Sequence, residues 1–135
     1  MADVPDVDRF VRDIYEVLNR MELDRIPEFA DPDIEFVSAT ARIEGESGVF
    51  RGYEGLREYA SLMAQLWGEA RWDVDSVEQI GEDRALVILH FSGRGGRSGV
   101  EIEQEVGAVI ATRNGRAIRF EGFPSAAEAR RAVGL

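Results

Sequence analysis

The sequence predicts an α+β fold, with helices packed on one face of a curved antiparallel sheet. Apolar residues recur at three- and four-residue spacing through the first half of the chain. From Trp72 onward they alternate at period two, and the alternating runs are short and separated by glycine-bearing turns. The first pattern belongs to amphipathic helices and the second to strands with one buried face.

Val7, Phe10, Val11, Ile14, Leu18 and Met21 fall on one stripe of a helix running from about Asp6 to Met21. Leu23, Ile26 and Phe29 suggest a shorter helical piece that ends before Asp31-Pro32-Asp33, because proline disfavours helix at the residue before it. Ile34 to Ser38 reads as a short strand, and Ala39 to Gly52 as a strand or mobile hairpin. Leu56, Tyr59, Ala60, Met63, Leu66 and Trp67 return to helical spacing in a segment that opens after GYEG and stops near Gly68. Four strands follow: Trp72, Val74 and Ser76 on one stripe, then ALVILHF, VEIEQEVGAVIAT and AIRFEGF. Ser125 and Glu128 have capping-box spacing for a last helix, and Gly134 supplies its stop.

The chain has 135 residues, the size of one domain, and nothing divides it, so residues 1–135 are expected to form a single unit. Apolar residues make up 44% of it, with no run near the ~20 that a membrane helix needs. The opening stretch MADVPDVDRF carries acids where a secretory leader has a positive region and an apolar core. A cytoplasmic protein is expected. The formal charge of -10 argues against nucleic acid or an anionic membrane as partner. Cysteine is absent, which excludes disulfides, thiolate nucleophiles and zinc-thiolate sites. No cofactor or metal is expected. All 16 basic residues are arginine, as GC-rich codon usage would produce.

The order helix, short helix, FADPDIEF at 29–36, FRGYEGL at 50–56 and the tail RNGRAIRFEGFPSAAEARRAVGL at 113–135 resembles the SnoaL-like branch of the nuclear-transport-factor-2-like superfamily. The resemblance covers nearly the whole chain. It implies a cone-shaped α+β barrel, a homodimer, and a largely apolar pocket between sheet and helices for a small organic ligand. Relatives include ketosteroid isomerases, epoxide hydrolases and polyketide cyclases. The isomerase pattern carries over poorly, residue by residue. Its general-base aspartate falls near Phe36 or Val37, its protonated aspartate near Ala108, and its helix-one tyrosine at or near Ile14, one residue from Tyr15. Hydrocarbon at both acid positions argues against that mechanism, since proton transfer and oxyanion stabilisation each need a polar group within reach. An epoxide-hydrolase-like Asp-Arg-Asp grouping is not assembled either.

The chain's one histidine precedes GRGGRSG, four glycines and two arginines at 93–99, and then Glu101, Glu103 and Glu105 alternate. Pairing residue 93 with 100 sets His90 opposite Glu103. Val87, Leu89, Phe91, Ile102, Gln104 and Val106 then share the inner face. A general base oriented by Glu103 is one reading of His90; a partly exposed cross-strand ion pair is the favoured one. The glutamate stripe makes no metal site without further ligands. A phosphate cradle leads from a strand into a helix, whereas this loop leads into another strand and is read as a hairpin loop. Arg94 and Arg97 are read as surface arginines.

Tyr15, Phe36, Tyr59, Trp67, Trp72 and Phe120 are the expected aromatic lining of the pocket. Gln104 is its inward amide, which needs a partner or a ligand. Tyr15, His90 and Gln104 are the catalytic candidates should the protein be an enzyme, with isomerisation, cyclisation or hydration of a carbonyl or polyketide-like substrate as the implied class. The competing expectation is an interaction module with a self-filled core, using the sheet face that bears Glu103, Val109 and Arg119.

Overall fold

The computed structural model describes residues 7–38, 48–95 and 99–135. Helix α1 spans Val7–Asn19 and is followed by a 3-10 turn at Leu23–Glu28. Strands β1 (Ala30–Val37) and β2 (Val49–Arg51) precede helix α2 (Gly52–Leu66). Then come β3 (Trp67–Ile80), β4 (Arg84–Gly95), β5 (Glu101–Arg113), β6 (Arg116–Phe123) and helix α3 (Ala126–Ala132). Of the stretch from Ala39 to Gly52, read above as strand or hairpin, residues 39–47 lie outside the described residues; in the remainder Val49–Arg51 form the short strand β2.

The six strands form one sheet in the order β2-β1-β6-β5-β4-β3. The last four make the expected antiparallel meander. The sheet as a whole is mixed, however, because β1 runs parallel to β6. Sequence alternation identifies strands but not which distant strand pairs with which, so this parallel contact was not legible in it. β1 also begins four residues earlier than expected and runs through Pro32. The proline is tolerated because it falls in the irregular stretch between Ala30 and Glu35, where the ladder to β6 shifts register. Helix α2 likewise starts at Gly52, before GYEG is complete: Gly52 adopts φ 68, which turns β2 directly into the helix. Trp67 is correspondingly the first residue of β3 and not the last of the helix.

The inner face of the meander carries Val87, Leu89 and Ala108, which pack with Val11, Ile14 and Ile110 into the main core beneath α1 and α2. Two bulges on β3 deform the sheet, one between Gly68 and Arg71 and one between Val74 and Ser76. The second moves the inward stripe by one residue. Trp72 and Val74 pair with Phe91 and Leu89, whereas Val77 and not Ser76 continues inward opposite Val87. An extra residue in one strand cannot be seen in that strand's own alternation, and Ser76 was misplaced for that reason.

β3 ends the sheet, and α1 covers part of its edge. Asn19 receives the Trp72 N–H on its Oδ1 and donates from Nδ2 to the Trp72 carbonyl, both at 2.8 Å. Arg12 donates to the Val74 carbonyl at 3.0 Å. These contacts occupy backbone groups that an exposed edge would offer to another strand.

Helix α3 lies on the opposite side of the sheet. Ser125 caps it by accepting from the Glu128 N–H at 3.2 Å, and its hydroxyl donates to the Glu128 carboxylate. At the other end Gly134, at φ 84, and Leu135 return N–H groups to the Arg131 and Arg130 carbonyls. Ala126 and Ala129 pack on Leu86 and Ile88, with Val109 and Phe123 at the margin. Val109 is thus engaged by the protein's own last helix. Gly107 permits this approach, because a Cβ there would overlap the Ala129 Cβ and lie 3.3 Å from the Ser125 carbonyl oxygen. Gly107→Ala is expected to push α3 off the sheet and destabilise the protein by ~1–3 kcal/mol in urea unfolding. An unchanged midpoint would show that the helix yields at no cost.

Candidate functional site

Between the inner sheet face and helices α1 and α2 lies a cavity of about 550 Å³. That is well within the ~300–1,000 Å³ of small-molecule sites. The strand order explains its shape. β5 crosses the middle, and its inward residues Gln104, Val106 and Ala108 line the cavity. β1 and β6 stand on one side of β5 and β4 and β3 on the other, and each side contributes an aromatic group.

On the first side Phe36 and Phe120 stack with centroids 4.8 Å apart and planes 18° apart. They are cross-strand partners in the parallel β1–β6 ladder, so the contact that sequence could not predict is what makes this wall. Tyr59 of α2 lies 4.3 Å from Phe36, and Tyr15 of α1 lies 5.7 Å from Phe120. On the other side Phe91 of β4 sits between two tryptophans of β3, with Trp67 edge-on at 5.5 Å and Trp72 at 5.2 Å.

The polar groups are few. Tyr15 is buried at 4% exposure, and desolvation followed by the neighbouring Tyr59 raises its pKa well above the usual tyrosine value. Tyr59 is pushed up in the same way by burial, although its side-chain hydrogen bond with Ser38 acts in the opposite direction. Both hydroxyls are therefore neutral at physiological pH and able to donate. The Trp67 indole nitrogen is buried and has no hydrogen-bond partner among the described residues. An N–H left so costs roughly 1–3 kcal/mol. At the rim stand Glu69, the one charged side chain among the described lining residues, and Gln104. Gln104 faces inward from β5 as expected but is exposed, and its amide donates to the Pro124 carbonyl at 2.7 Å. The inward amide is thus not enclosed, since the stretch of β5 around it is exposed, and the partner it needs is the Pro124 carbonyl.

All seven residues assigned to the lining from sequence, Tyr15, Phe36, Tyr59, Trp67, Trp72, Gln104 and Phe120, border the cavity. His90 does not. It stands on the outer face of β4, between Asp73 on β3 and Glu105 on β5. Its expected partner Glu103 is opposite Ser92, so the register differs by two residues from the one inferred above. The reason is the turn. Gly95 donates to the Val100 carbonyl at 3.0 Å and closes the hairpin two residues later than a 93–100 pairing would. A two-residue shift preserves which face each side chain takes. It leaves His90 only a diagonal contact with Glu103, at 3.8 Å between Nε2 and Oε1. Arg94 pairs across the same strands with Glu101 at 2.8 Å; Arg97 lies outside the described residues.

Sequence reasoning missed Ser38, Met63, Leu89 and Phe91 as lining residues. Leu89 and Phe91 carried a signal in the alternation of ALVILHF, whereas Ser38 at the end of a strand carried none. Among the described residues no group of three or more histidine and acidic side chains could hold a metal ion. No described helix is long and apolar enough to cross a membrane.

The model of the SnoaL-like domain family matches residues 11–120. No curated protein matches the chain. Among solved structures, a nuclear-transport-factor-2-like protein of unknown function from Burkholderia pseudomallei superimposes with a TM-score of 0.75 at 22% identity, covering 94% of this chain and 96% of the other. TerC, co-crystallised with polyporic acid, gives 0.75 at 18% identity over 94% and 97% of the two chains. IdmH from Streptomyces antibioticus, described as a candidate polyketide cyclase, gives 0.72 at 18% identity over the same 94% and 97%. At these identities the structural likeness speaks to the fold.

Proposed function

Because the chain belongs to the SnoaL-like domain family, we propose that it binds a small, largely apolar organic molecule in the cavity between its sheet and helices. The observation that carries this reading is the cavity itself, about 550 Å³ of space between two aromatic walls. A self-filled interaction module would have no use for that space, and filling it with side chains would strengthen the core.

Away from Glu69 at the rim, the polar groups this site offers a reaction are neutral. Tyr15 is set to donate a hydrogen bond to a carbonyl oxygen and to stabilise negative charge developing there, as buried neutral donors do. Isomerisation, cyclisation or hydration of a carbonyl or polyketide-like substrate is the class that fits such a donor. The described lining supplies no histidine or aspartate, and Glu69 is its one carboxylate. The general base of a ketosteroid isomerase thus has no counterpart near Phe36 or Val37, nor its protonated aspartate near Ala108. A homodimer belongs to the same proposal, with the Glu35–Arg119–Glu121 ladder on the outer face among the surfaces open to a partner.

The test is a thermal-shift screen of the purified protein against apolar ketones, lactones, epoxides and sterols, with His90→Ala and Gln104→Leu alongside. A ligand that binds only the native state raises the midpoint by mass action. Shifts are expected with wild type and with His90→Ala, whose side chain is on the far face of the sheet, and smaller shifts with Gln104→Leu at the rim. A folded protein that responds to none of these compounds would overturn the reading. Loss of every shift in His90→Ala would move the site to the outer face.

A further inference from the structure

We propose that Glu69, held at the mouth of the cavity by a bulge in β3, makes the site selective for a ligand that joins an apolar ring body to a basic amine, against the carboxylate of the same body. The inference rests on the reading of the cavity as a small-molecule site and adds the charge that site takes.

Three non-glycine residues among those described have positive φ: Met21, Glu69 and Asn114. Two of them have local reasons. Asn114 precedes Gly115 in the turn between β5 and β6, where Asn-Gly is favoured. Met21 closes the end of α1, where its N–H and that of Glu22 return to the Leu18 and Val17 carbonyls. Glu69 instead lies inside a strand. Its φ of 57 falls in the bulge where β3 places Glu69 and Ala70 opposite the single residue Gly93 of β4. Glycine would take this conformation without strain. What glutamate adds there is its side chain, and Glu69 is exposed and borders the cavity, so a bound molecule can reach it. Strain kept at the edge of a cavity points to use of the residue that bears it.

The same bulge keeps the surroundings aromatic. Trp67 and Trp72 are an odd number of residues apart, which would put them on opposite faces of a regular strand. The extra residue restores the parity, so both border the cavity and pack on Phe91, at 5.5 and 5.2 Å. Both tryptophans are half-buried. The faces of indole rings attract cations, the more so where water is partly excluded. Glu69 thus stands in a strand segment bounded by two such rings.

The remaining charges favour the same ligand. The described lining contains no arginine, lysine or histidine, and burial keeps Tyr15 and Tyr59 neutral. Arg94 feels the charge of Glu69, but its guanidinium donates to Glu101 at 2.8 Å, so two carboxylates share one cation and the three groups together are negative. The chain's formal charge of -10 adds long-range attraction for cations. An amine can leave its charge at the exposed rim beside Glu69 while the ring enters the cavity, so little desolvation opposes it. A carboxylate in the same pose meets like charge. Tyr15 and Glu69 then address different parts of one ligand: the buried hydroxyl a neutral oxygen within, the carboxylate an amine at the mouth.

The experiment uses three probes with one ring body: naphthylmethylamine, which is protonated at neutral pH, naphthylmethanol and naphthoate. Each is titrated calorimetrically into the full-length protein at low and at high salt. The amine is expected to bind wild type roughly tenfold more tightly than the alcohol at low salt, and the preference to shrink as salt screens the exposed carboxylate. Naphthoate binds more weakly than either. Glu69→Gln keeps the size of the side chain and brings the amine to within about threefold of the alcohol, the remainder coming from the indole faces. Glu78→Gln removes an equal charge from an exposed position elsewhere on β3 and leaves the preference as in wild type. Glu69→Gly relieves the strained backbone, so it should melt no lower than wild type while losing the preference, and it serves as the second variant should Glu69→Gln not fold. Equal binding of amine and alcohol to wild type, or a preference that survives in Glu69→Gln, would overturn the role of Glu69 while leaving the cavity as a ligand site. A preference lost equally in Glu78→Gln would assign it to net charge and likewise remove Glu69 from the site. No binding by any of the three probes would overturn this inference and the proposed site together.

Discussion

Phe120→Ala is expected to lower the stability of the fold by ~3–5 kcal/mol, the range for removing a large aromatic side chain from a packed core. Phe120 is 6% exposed. It stacks on Phe36 across the β1–β6 ladder, meets Tyr15 from α1, and belongs to the main core cluster. One ring thus joins the parallel strand pair to the first helix. Its removal leaves a hole that β6 cannot close without breaking its ladders on both sides, so collapse recovers little. The cavity beside it draws the expected loss toward the lower end of the range, because one side of the ring faces space already empty. Guanidinium unfolding with fitted slopes checks this. A loss below ~1 kcal/mol with an unchanged slope would mean that the Phe36–Phe120 stack does not hold β1 to β6.

Ala108→Trp is expected to abolish ligand binding, with affinity falling by about a hundredfold or more, equivalent to ~2.7 kcal/mol. Ala108 is 1% exposed and projects inward from the middle of β5, between the two aromatic groups. An indole at that position fills the space a ligand would take. The same substitution in a solid core would cost ~1–3 kcal/mol from overpacking; here the cavity absorbs the added volume, and the melting temperature should fall by only a few degrees. Isothermal titration with whichever compound the screen yields, paired with circular dichroism, separates the two effects. Undiminished binding in a folded Ala108→Trp protein would place the ligand outside the cone. A large drop in melting temperature would show that the cavity is smaller than its walls suggest.

The periodicities were enough to read the class of the fold and most of its elements. Val7 through Leu18 repeat at helical spacing and form α1; ALVILHF and VEIEQEVGAVIAT alternate and form β4 and β5. Local capping chemistry was equally legible, since Ser125, Glu128 and Gly134 act within one turn of where they sit. The inward faces of β4 and β5 followed from parity alone, which is why Gln104 faces inward even though the pairing register differed by two residues. All of these are properties of neighbouring residues, and a sequence records neighbours.

What depended on distant residues was decided only in three dimensions. The parallel pairing of β1 with β6 brings Phe36 onto Phe120 over more than eighty residues of chain, and no local pattern specifies it. The bulge beyond Val74 changed which side of β3 Ser76 and Val77 take, because a bulge is a mismatch between two strands and not a feature of one. The closure of the hairpin at Gly95 and Val100, continued along the β4–β5 ladder, fixed the neighbours of His90. The unpartnered Trp67 nitrogen is the same kind of fact. A tryptophan in a sequence announces an apolar ring, but whether its N–H has an acceptor depends on every group that the fold brings near it, and here the fold brings none among the described residues.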